Sequence, residues 1–248
     1  MVSFRPSGRL GNFLFTMAAT IAYAKKNGIE YSAPTKTNHT FHNPVYLPHL
    51  ANPNWIEGRE DVIVNEKVLY KYDEIPFKEE WRDKQIVLRG YFQNPAYFEE
   101  YRKEIVEAFD LSRRDFNKGT VSVHVRRGDY LTLPEKHPAV TKEWYENAMK
   151  LFPDHEFLFF SDDIEWCQRE FGGRMDCSFS VRQSELDDLK LMIGCEHFIN
   201  SASTFSWMGA WLNTNQNKRV IVPKQWLMPQ SSNQWTESLI PSEWERIK

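Results

Sequence analysis

The sequence predicts an α/β protein built on parallel sheet. Beyond residue 120, short runs rich in β-branched and aromatic residues alternate with segments whose apolar residues recur at helical spacing. Strands that alternate with helices are typical of parallel sheets joined by right-handed crossovers. The chain also opens with a strand, a glycine-containing turn and a helix, so its first half begins on the same plan.

The first half begins with a predicted strand at Val2–Phe4. The turn at residues 8–12 leads into a helix that ends at Asn27 and Gly28, because glycine often closes a helix. Residues 31–85 are interrupted by prolines and predict no regular element. A strand over residues 86–92 and a helix over residues 97–109 complete this half. The apolar side chains on one face of the first helix are Leu14, Met17, Ala18 and Ile21.

A polar stretch at residues 111–119 predicts the boundary between two domains, residues 1–115 and residues 116–248. The final segment has two alternatives, since it could complete the second domain or pack back on the first. In the second domain, helices are expected to open near Thr141, after the second strand, over residues 185–194 and after the third strand. Its predicted strands are 121–125, 156–160, 197–200 and, as the last one in the chain, 220–222.

Composition and charge exclude several functional classes. The 248-residue chain carries a net charge of −3, whereas a general nucleic-acid binder usually has a basic excess. Its three cysteines have no metal-binding spacing, which favours a reducing compartment. No apolar run is long enough to span a bilayer, and the first strand starts at residue 2. We therefore expect a cytoplasmic protein, with peripheral contact at the inner membrane left open.

The most informative segment is residues 121–130, where a buried-type strand ends in two arginines, a glycine and an aspartate. In open α/β sheets, ligands bind at the carboxyl ends of the strands. The guanidiniums of Arg126 and Arg127 suit a diphosphate, because each can hold two oxygens and keeps its charge. The alternatives are a surface turn in which Asp129 forms a salt bridge, and a buried structural role for His124.

Two further loops are predicted to reach the same edge of the sheet. Asp162 and Asp163 follow the second strand of this domain, although Asp162 and Glu165 also fit a helix-capping box. Residues 201–204 follow the third strand, where their hydroxyls could cap the next helix or bind phosphate together with its free amides. The sequence has no evident metal-ligand cluster and no DxD pattern. We therefore expect arginines, and no divalent ion, to neutralise the diphosphate.

The turn at residues 8–12 excludes two common nucleotide-binding classes. It lacks the GxGxxG spacing of dehydrogenases and the lysine of P-loop NTPases. Its two glycines, Gly8 and Gly11, still allow close backbone approach by a ligand.

Five segments in order along the chain resemble motifs of the α-1,2-fucosyltransferases, glycosyltransferase family 11. Residues 124–130, His-Val-Arg-Arg-Gly-Asp-Tyr, are similar to the HxRRxD motif of that family. Phe13, Thr16 and Met208 depart from the family pattern and leave donor and acceptor preference open. The other four similar segments are GRLGN at 8–12, GYFQ at 90–93, SDD at 161–163 and NSASTFSW at 200–207.

The resemblance implies a GT-B architecture, in which an acceptor-side and a donor-binding Rossmann-like domain face a central cleft. It implies an inverting enzyme that moves L-fucose from GDP-β-L-fucose to the 2-hydroxyl of galactose in a glycan, without cofactor or metal. The missing anchor favours a bacterial enzyme of surface polysaccharide or lipopolysaccharide O-antigen synthesis. Acceptor contacts are expected in residues 31–85 and 131–140.

The resemblance also implies roles for the motif residues. Arg126 and Asp129 are the predicted catalytic pair: Arg126 would stabilise the departing GDP, and Asp129 would orient the arginines or the acceptor. Arg127 would be a second cationic or structural contact. The other predicted donor contacts are Gly11, Asn12, His124, Asp162, Asp163, Ser201, Ser203 and Thr204.

The general base stays open at this stage. Asp129 is the candidate in the motif, although its place beside two arginines makes it a poor base, and His137 in the following loop is a weaker candidate. Two alternatives to the function also stay open. One is the same scaffold acting on a different sugar nucleotide or linkage, and the other is a glycan- or nucleotide-binding protein without turnover.

Overall fold

A computed structural model describes residues 1–35, 46–111, 117–135, 137–181, 184–228 and 236–248, the side chain of residue 237 excepted. Contacts divide the chain into two compact units. The first holds Met1–Asp110 and Thr236–Leu239, and the second holds the residues from Leu111 onward together with Ile240–Lys248. The predicted domain limit between residues 115 and 116 lies outside the described residues and stays a prediction.

The first unit is organised around a three-stranded parallel sheet in the order β1-β3-β2. Its strands are β1 (Val2–Phe4), β2 (Val62–Asn65) and β3 (Ile86–Arg89). The prediction of no regular element in residues 31–85 is wrong for β2. This edge strand has one buried residue in four, so it carries little of the apolar alternation that identifies strands.

Helix α1 (Leu10–Asn27) follows β1, and α2 (Arg102–Phe109) lies near the end of this unit. Almost every residue from Leu10 to Ala24 is buried, as expected of a helix that protein surrounds on all sides. Gly28 ends α1 in the left-handed conformation, with φ of 61°. Short 3-10 turns at Pro95–Tyr97 and Glu99–Tyr101 precede α2, so the α-helix begins at residue 102 and not at residue 97 as predicted.

The second unit contains a six-stranded parallel sheet in the order β6-β5-β4-β7-β8-β9. Counted along the unit, this order is 3-2-1-4-5-6, which is a doubly wound arrangement of nucleotide-binding folds. Ligands bind such sheets where the strand order reverses, and here that point lies between β4 and β7. The strands are β4 (Asn117–Val125), β5 (Glu156–Ser161), β6 (Cys177–Phe179), β7 (Cys195–Ile199), β8 (Val220–Pro223) and β9 (Glu245–Ile247).

Helices follow the strands of this sheet. The core of the unit includes Val123 and Phe159 from the sheet, with Tyr145 and Phe171 from two of the helices. The helices are α3 (Gly128–Thr132), α4 (Lys142–Met149), α5 (Ile164–Phe171), α6 (Glu185–Ile193) and α7 (Thr204–Leu212).

The predicted α/β class with parallel sheets is confirmed, with corrections in the second unit. β4 begins at Asn117, earlier than predicted, and β9 follows the strand that was predicted to be the last. β6 was not predicted. Both β6 and β9 are three-residue strands in which no residue is fully buried, so their local signal is weak. The facing of two domains across a cleft stays a prediction.

The structure also bears on the predicted absence of a membrane span. Within the described ranges, no helix is both long and apolar enough to cross a bilayer.

Candidate active site

The loops after β4 and β7 meet at the point where the strand order reverses. The Ser201 N–H donates to the His124 carbonyl at 3.2 Å, which continues the pairing of the two strands. The Tyr130 hydroxyl donates to the Ala202 carbonyl at 2.6 Å and ties α3 to the loop at residues 201–204, called the serine loop below. These contacts bring the arginine motif and the serine-rich segment together, at the edge where such sheets bind ligands.

Arg126 lies between two aspartates at this edge. Its Nη2 is 2.6 Å from Asp129 Oδ1, and its Nη1 is 3.0 Å from Asp162 Oδ2. The Arg126 side chain is 16% exposed and that of Asp162 is 15% exposed, whereas Asp129 is 49% exposed. Asp162 therefore orients the guanidinium from the protein side, and Asp129 covers the side that solvent reaches.

Arg127 turns toward helix α5. Its Nε is 3.0 Å from Asp163 Oδ2, and its guanidinium lies over the Trp166 ring at 4.2 Å from the centroid. The Arg127 N–H donates to Asp162 Oδ1 at 2.9 Å. Gly128 makes room for this arrangement, because a Cβ there would lie 2.5 Å from Asp162 Oδ2. Arg127 thus fixes the loop through Asp163 and Trp166.

The helix cap of α5 differs from the predicted one. Asp163 caps the helix, since its Oδ1 accepts from the Trp166 N–H at 3.2 Å. The predicted capping box of Asp162 and Glu165 is wrong, because the Asp162 carboxylate is engaged by Arg126 and by the Arg127 amide. The local sequence could not distinguish the two aspartates, as that competition comes from another strand.

His124 is buried inside β4, with its Nδ1 2.7 Å from the Ser201 hydroxyl oxygen. Burial lowers the pKa of His124 to about 3, and the charge of Arg126 acts in the same direction. A neutral ring that also packs against Phe205 fits the alternative of a buried structural histidine. Its predicted contact with the donor stays a prediction.

The serine loop forms the start of helix α7. Ser203 caps the helix, and its hydroxyl accepts from the Phe205 N–H at 3.4 Å. Ser201 and Ser203 are buried, whereas Thr204 at the first helical position is partly exposed. Because the amino end of a helix favours negative charge, this helix end remains suited to a phosphate.

The predicted residues of the first unit lie at the carboxyl edge of its own sheet. Gly11 and Asn12 form the first turn of α1, after a Gly8 with φ of 73°. Gln93, which follows β3, donates from Nε2 to Asn12 Oδ1 at 2.8 Å. The sequence pattern contained Gln93 in the GYFQ segment, but only the sheet reveals that it contacts Asn12.

The three departures from the family motifs are all buried. Phe13 packs edge-on against Phe4 and Tyr46, with ring centroids 5.1 and 5.3 Å apart. Thr16 donates to the Asn12 carbonyl at 3.0 Å, and Met208 is completely enclosed in α7. Of the expected acceptor segments, residues 36–45 and 136 lie outside the described residues.

Among the residues that the structure describes, one group of metal-ligand side chains lies together although its sequence spacing did not indicate a site. His155, Glu196 and His197 lie at the amino ends of β5 and β7, with candidate ligand atoms within 4.8 Å of one another. His197 Nδ1 accepts the Arg219 N–H at 3.0 Å, and burial lowers the pKa of this ring. A neutral His197 in that tautomer has no lone pair left for a metal.

The chain matches one protein family over its full length. The profile described as Glycosyl transferase family 11 covers residues 1–248. The chain is 30% identical over 175 residues to the O-antigen biosynthesis glycosyltransferase WbnK of Escherichia coli, over 60% of this chain and 58% of that protein. It is 31% identical over 180 residues to an alpha-1,2-colitosyltransferase of E. coli, over 64% and 61%.

A mammalian relative and a solved structure extend the comparison. The chain is 26% identical to the mouse galactoside 2-alpha-L-fucosyltransferase Sec1, over 86% of this chain and 64% of that protein. It spans less than two thirds of the length of these curated relatives, at 58%, 61% and 64%. The structure of POFUT1 in complex with GDP-fucose matches with a TM-score of 0.50 at 12% identity, over 88% of this chain and 96% of that one, which supports the fold alone. Because the family profile covers every residue, the protein belongs to glycosyltransferase family 11.

Proposed function

We propose that this protein is an inverting glycosyltransferase that moves L-fucose from GDP-β-L-fucose to the 2-hydroxyl of a galactoside. The position of Arg126 carries this proposal: its guanidinium lies at the reversal of strand order and is oriented by two aspartates. A fixed guanidinium at that point suits the diphosphate of a sugar nucleotide. The names of relatives support the sugar and the linkage, since one is a galactoside 2-alpha-L-fucosyltransferase.

In the proposed reaction, the oxygen of the acceptor 2-hydroxyl attacks the anomeric carbon from the face opposite GDP, which inverts that centre. The bond from the anomeric carbon to the β-phosphate oxygen breaks, GDP leaves, and the hydroxyl proton passes to water. Negative charge builds on the departing diphosphate, and Arg126 stabilises the transition state more than the ground state. Asp129 is the more exposed of the two partners, so a phosphate oxygen would replace it at Nη2. Asp162 would keep the guanidinium oriented during that exchange.

The remaining predicted residues fall into two proposed groups. Arg127 and Asp163 pair with each other and His124 bonds to Ser201, so these four residues would shape the loops. The other group would contact the donor: Gly11, Asn12, Ser203 and Thr204. We propose no cofactor and no metal, since Arg126 supplies the positive charge that the leaving diphosphate requires.

The acceptor and the location are proposals of lower specificity. The O-antigen name of a relative supports a surface polysaccharide acceptor containing galactose, made in a bacterial cytoplasm with peripheral membrane contact. A second candidate donor is a colitose nucleotide, because another relative is named an alpha-1,2-colitosyltransferase. A binding protein without turnover remains the alternative from another class.

Calorimetric titration with GDP, GDP-fucose, GDP-mannose and UDP-galactose, without added metal, tests this function. We expect GDP and GDP-fucose to bind selectively, after which transfer to galactosides is assayed. Binding of the uridine nucleotide, or of no nucleotide, would contradict the proposal. Tight binding of GDP-fucose without transfer or hydrolysis would favour the binding protein.

A further inference from the structure

Glu66 lies at the carboxyl edge of the first unit's sheet and belongs to none of the family motifs. It directly follows β2, and its N–H donates to the Arg89 carbonyl at the end of β3. Since all three strands are parallel, the loops after β1, β2 and β3 share this edge. Glu66 therefore lies beside the turn at residues 90–93 and on the same edge as Asn12.

The Glu66 carboxylate holds the turn that follows β3. Its Oε2 accepts from the Tyr91 N–H at 2.7 Å, and the Phe92 N–H also bonds to this carboxylate. Gly90 permits the approach, because a Cβ there would lie 2.4 Å from the Glu66 Cβ. Phe92 is buried in the left-handed region, with φ of 49°, a conformation that persists only where its surroundings impose it.

The turn at residues 90–93 also orients Asn12. Gln93 at its end donates to Asn12 Oδ1 at 2.8 Å, and the Gly90 and Tyr91 carbonyls lie 3.4 Å from the Thr16 hydroxyl. On its other side Asn12 fills the space above Gly8, where a Cβ would lie 2.1 Å from Nδ2. The amide of Asn12 is thereby restricted to one orientation.

Burial of the Glu66 carboxylate at this position opposes its ionisation. Burial raises the pKa of Glu66, although the two amides act in the opposite direction. In the part of the chain that the structure describes, its buried Oε1 has no hydrogen-bond partner. Packing alone does not account for a charge there, whereas a charged acceptor binds two amides more strongly than a neutral one.

We propose that Glu66 is a positioning residue of the transfer reaction, which acts on Asn12 through the turn at residues 90–93 and Gln93. The inference rests on the proposed function, in which Asn12 contacts the donor. Glu66 itself touches no substrate. Its removal should therefore lower the turnover number through Asn12 and leave the nucleotide site of the second unit unchanged.

A double-mutant cycle tests this route, with Glu66→Ala, Asn12→Ala and the double variant assayed for transfer or hydrolysis of GDP-fucose. We expect Glu66→Ala to lower kcat about 10-fold and Asn12→Ala about 100-fold, with GDP affinity within about 2-fold of wild type. The double variant should match Asn12→Ala alone, because the two residues act on one path. Multiplication of the two effects would overturn the proposal.

Further variants separate positioning from folding. Glu66→Gln keeps an oxygen for the two amides, so it should fold like wild type and regain part of the activity lost in Glu66→Ala. Wild-type activity in both variants would also overturn the proposal. Glu74→Gln, an exposed carboxylate of the same unit that pairs with Lys26, is the matched control and should not change kcat. If the wild type binds no GDP, the proposed function fails first, independently of Glu66.

Discussion

The two sheets of this protein present different chemistry at their carboxyl edges. In the second unit the edge is built from ion pairs, with Arg126 and Arg127 bonded to three aspartates. In the first unit the corresponding edge carries the hydrogen bond from Gln93 to Asn12 and one carboxylate bonded to backbone N–H groups, while Arg5 and Arg89, at the ends of β1 and β3, pair with Glu60. The motif side chains therefore differ: Arg126 in the second unit is held by charged partners, and Asn12 in the first unit is held by a neutral amide.

The difference predicts separate roles for the two edges in the proposed reaction. Ion pairs at an exposed edge can be replaced by a diphosphate, whose oxygens offer the same bidentate geometry as a carboxylate. Amides held by a buried carboxylate cannot exchange in this way, but they orient a group within a narrow range. We therefore expect substitutions in the second unit to change donor binding and charge stabilisation, and those in the first to change turnover alone.

The largest effect should follow Arg126→Ala. The loss of a cation aimed at the leaving group should lower kcat by about 10³-fold, or about 4 kcal/mol, in transfer assays with GDP-fucose. The fold should persist, because the guanidinium is partly exposed and its partners can be solvated. Arg174→Ala, which removes an exposed arginine paired with Asp176 in the same unit, is the control. Turnover unchanged in Arg126→Ala would contradict the proposed mechanism.

The pH dependence of stability should differ in sign between a buried group of the second unit, His124, and one of the first unit, Glu66. Burial depresses the pKa of His124 to about 3, so the unfolded chain takes up a proton between its ordinary value near 6.5 and that point. As pH decreases through this window, the free energy of unfolding should decrease by up to about 1.4 kcal/mol per pH unit. Glu66 has a raised pKa, so its contribution is fully present below the ordinary value near 4.5 and is lost as pH rises through the folded value.

Melting curves between pH 7.5 and pH 5 check both signs. His124→Gln should lose part of the acid sensitivity of the wild type, and Glu66→Gln should become more stable relative to wild type as pH rises. Glu74→Gln again serves as the control. Parallel pH profiles for wild type and both variants would show that neither buried group titrates as its surroundings imply.

Much of the second unit could be predicted because its signals are local. Ten residues of sequence are enough to predict a buried strand that ends in arginines or one that ends in serines. Their meeting follows from the rule that parallel strands end at one edge. The same locality explains the family motifs, since they mark loops whose chemistry is contiguous in sequence.

The remaining features depend on distant contacts. β2, β6 and β9 are short and half-exposed, so pairing with a neighbour creates them more than their own sequence does. Asp163, and not Asp162, caps α5 because Arg126, which follows β4, occupies the Asp162 carboxylate. Glu66 carries no local signal at all, since its role arises only where the ends of β2 and β3 meet.

A smaller effect should follow Asp129→Asn. If Asp129 covers the side of Arg126 that a phosphate takes, its neutralisation should raise GDP affinity by about two- to five-fold, consistent with the modest strength of exposed ion pairs. Calorimetry measures the change. Asp176→Asn, an exposed and arginine-paired aspartate of the same unit, controls for net charge. Weaker GDP binding in Asp129→Asn would mean that Asp129 orients Arg126 and does not compete with the ligand.

The smallest effect should come from a chelator. Transfer measured with EDTA should stay within about twofold of transfer without it, because the proposed mechanism places Arg126 on the diphosphate, and the oxygens of Asp162 and Asp163 are engaged by arginines and amides. Activity that disappears with EDTA and returns with a divalent ion would instead assign a metal to these aspartates. Asp162→Asn would then weaken the return of activity with the divalent ion. The second unit would in that case hold a metal beside Arg126, whereas the first unit would still present the amide of Asn12.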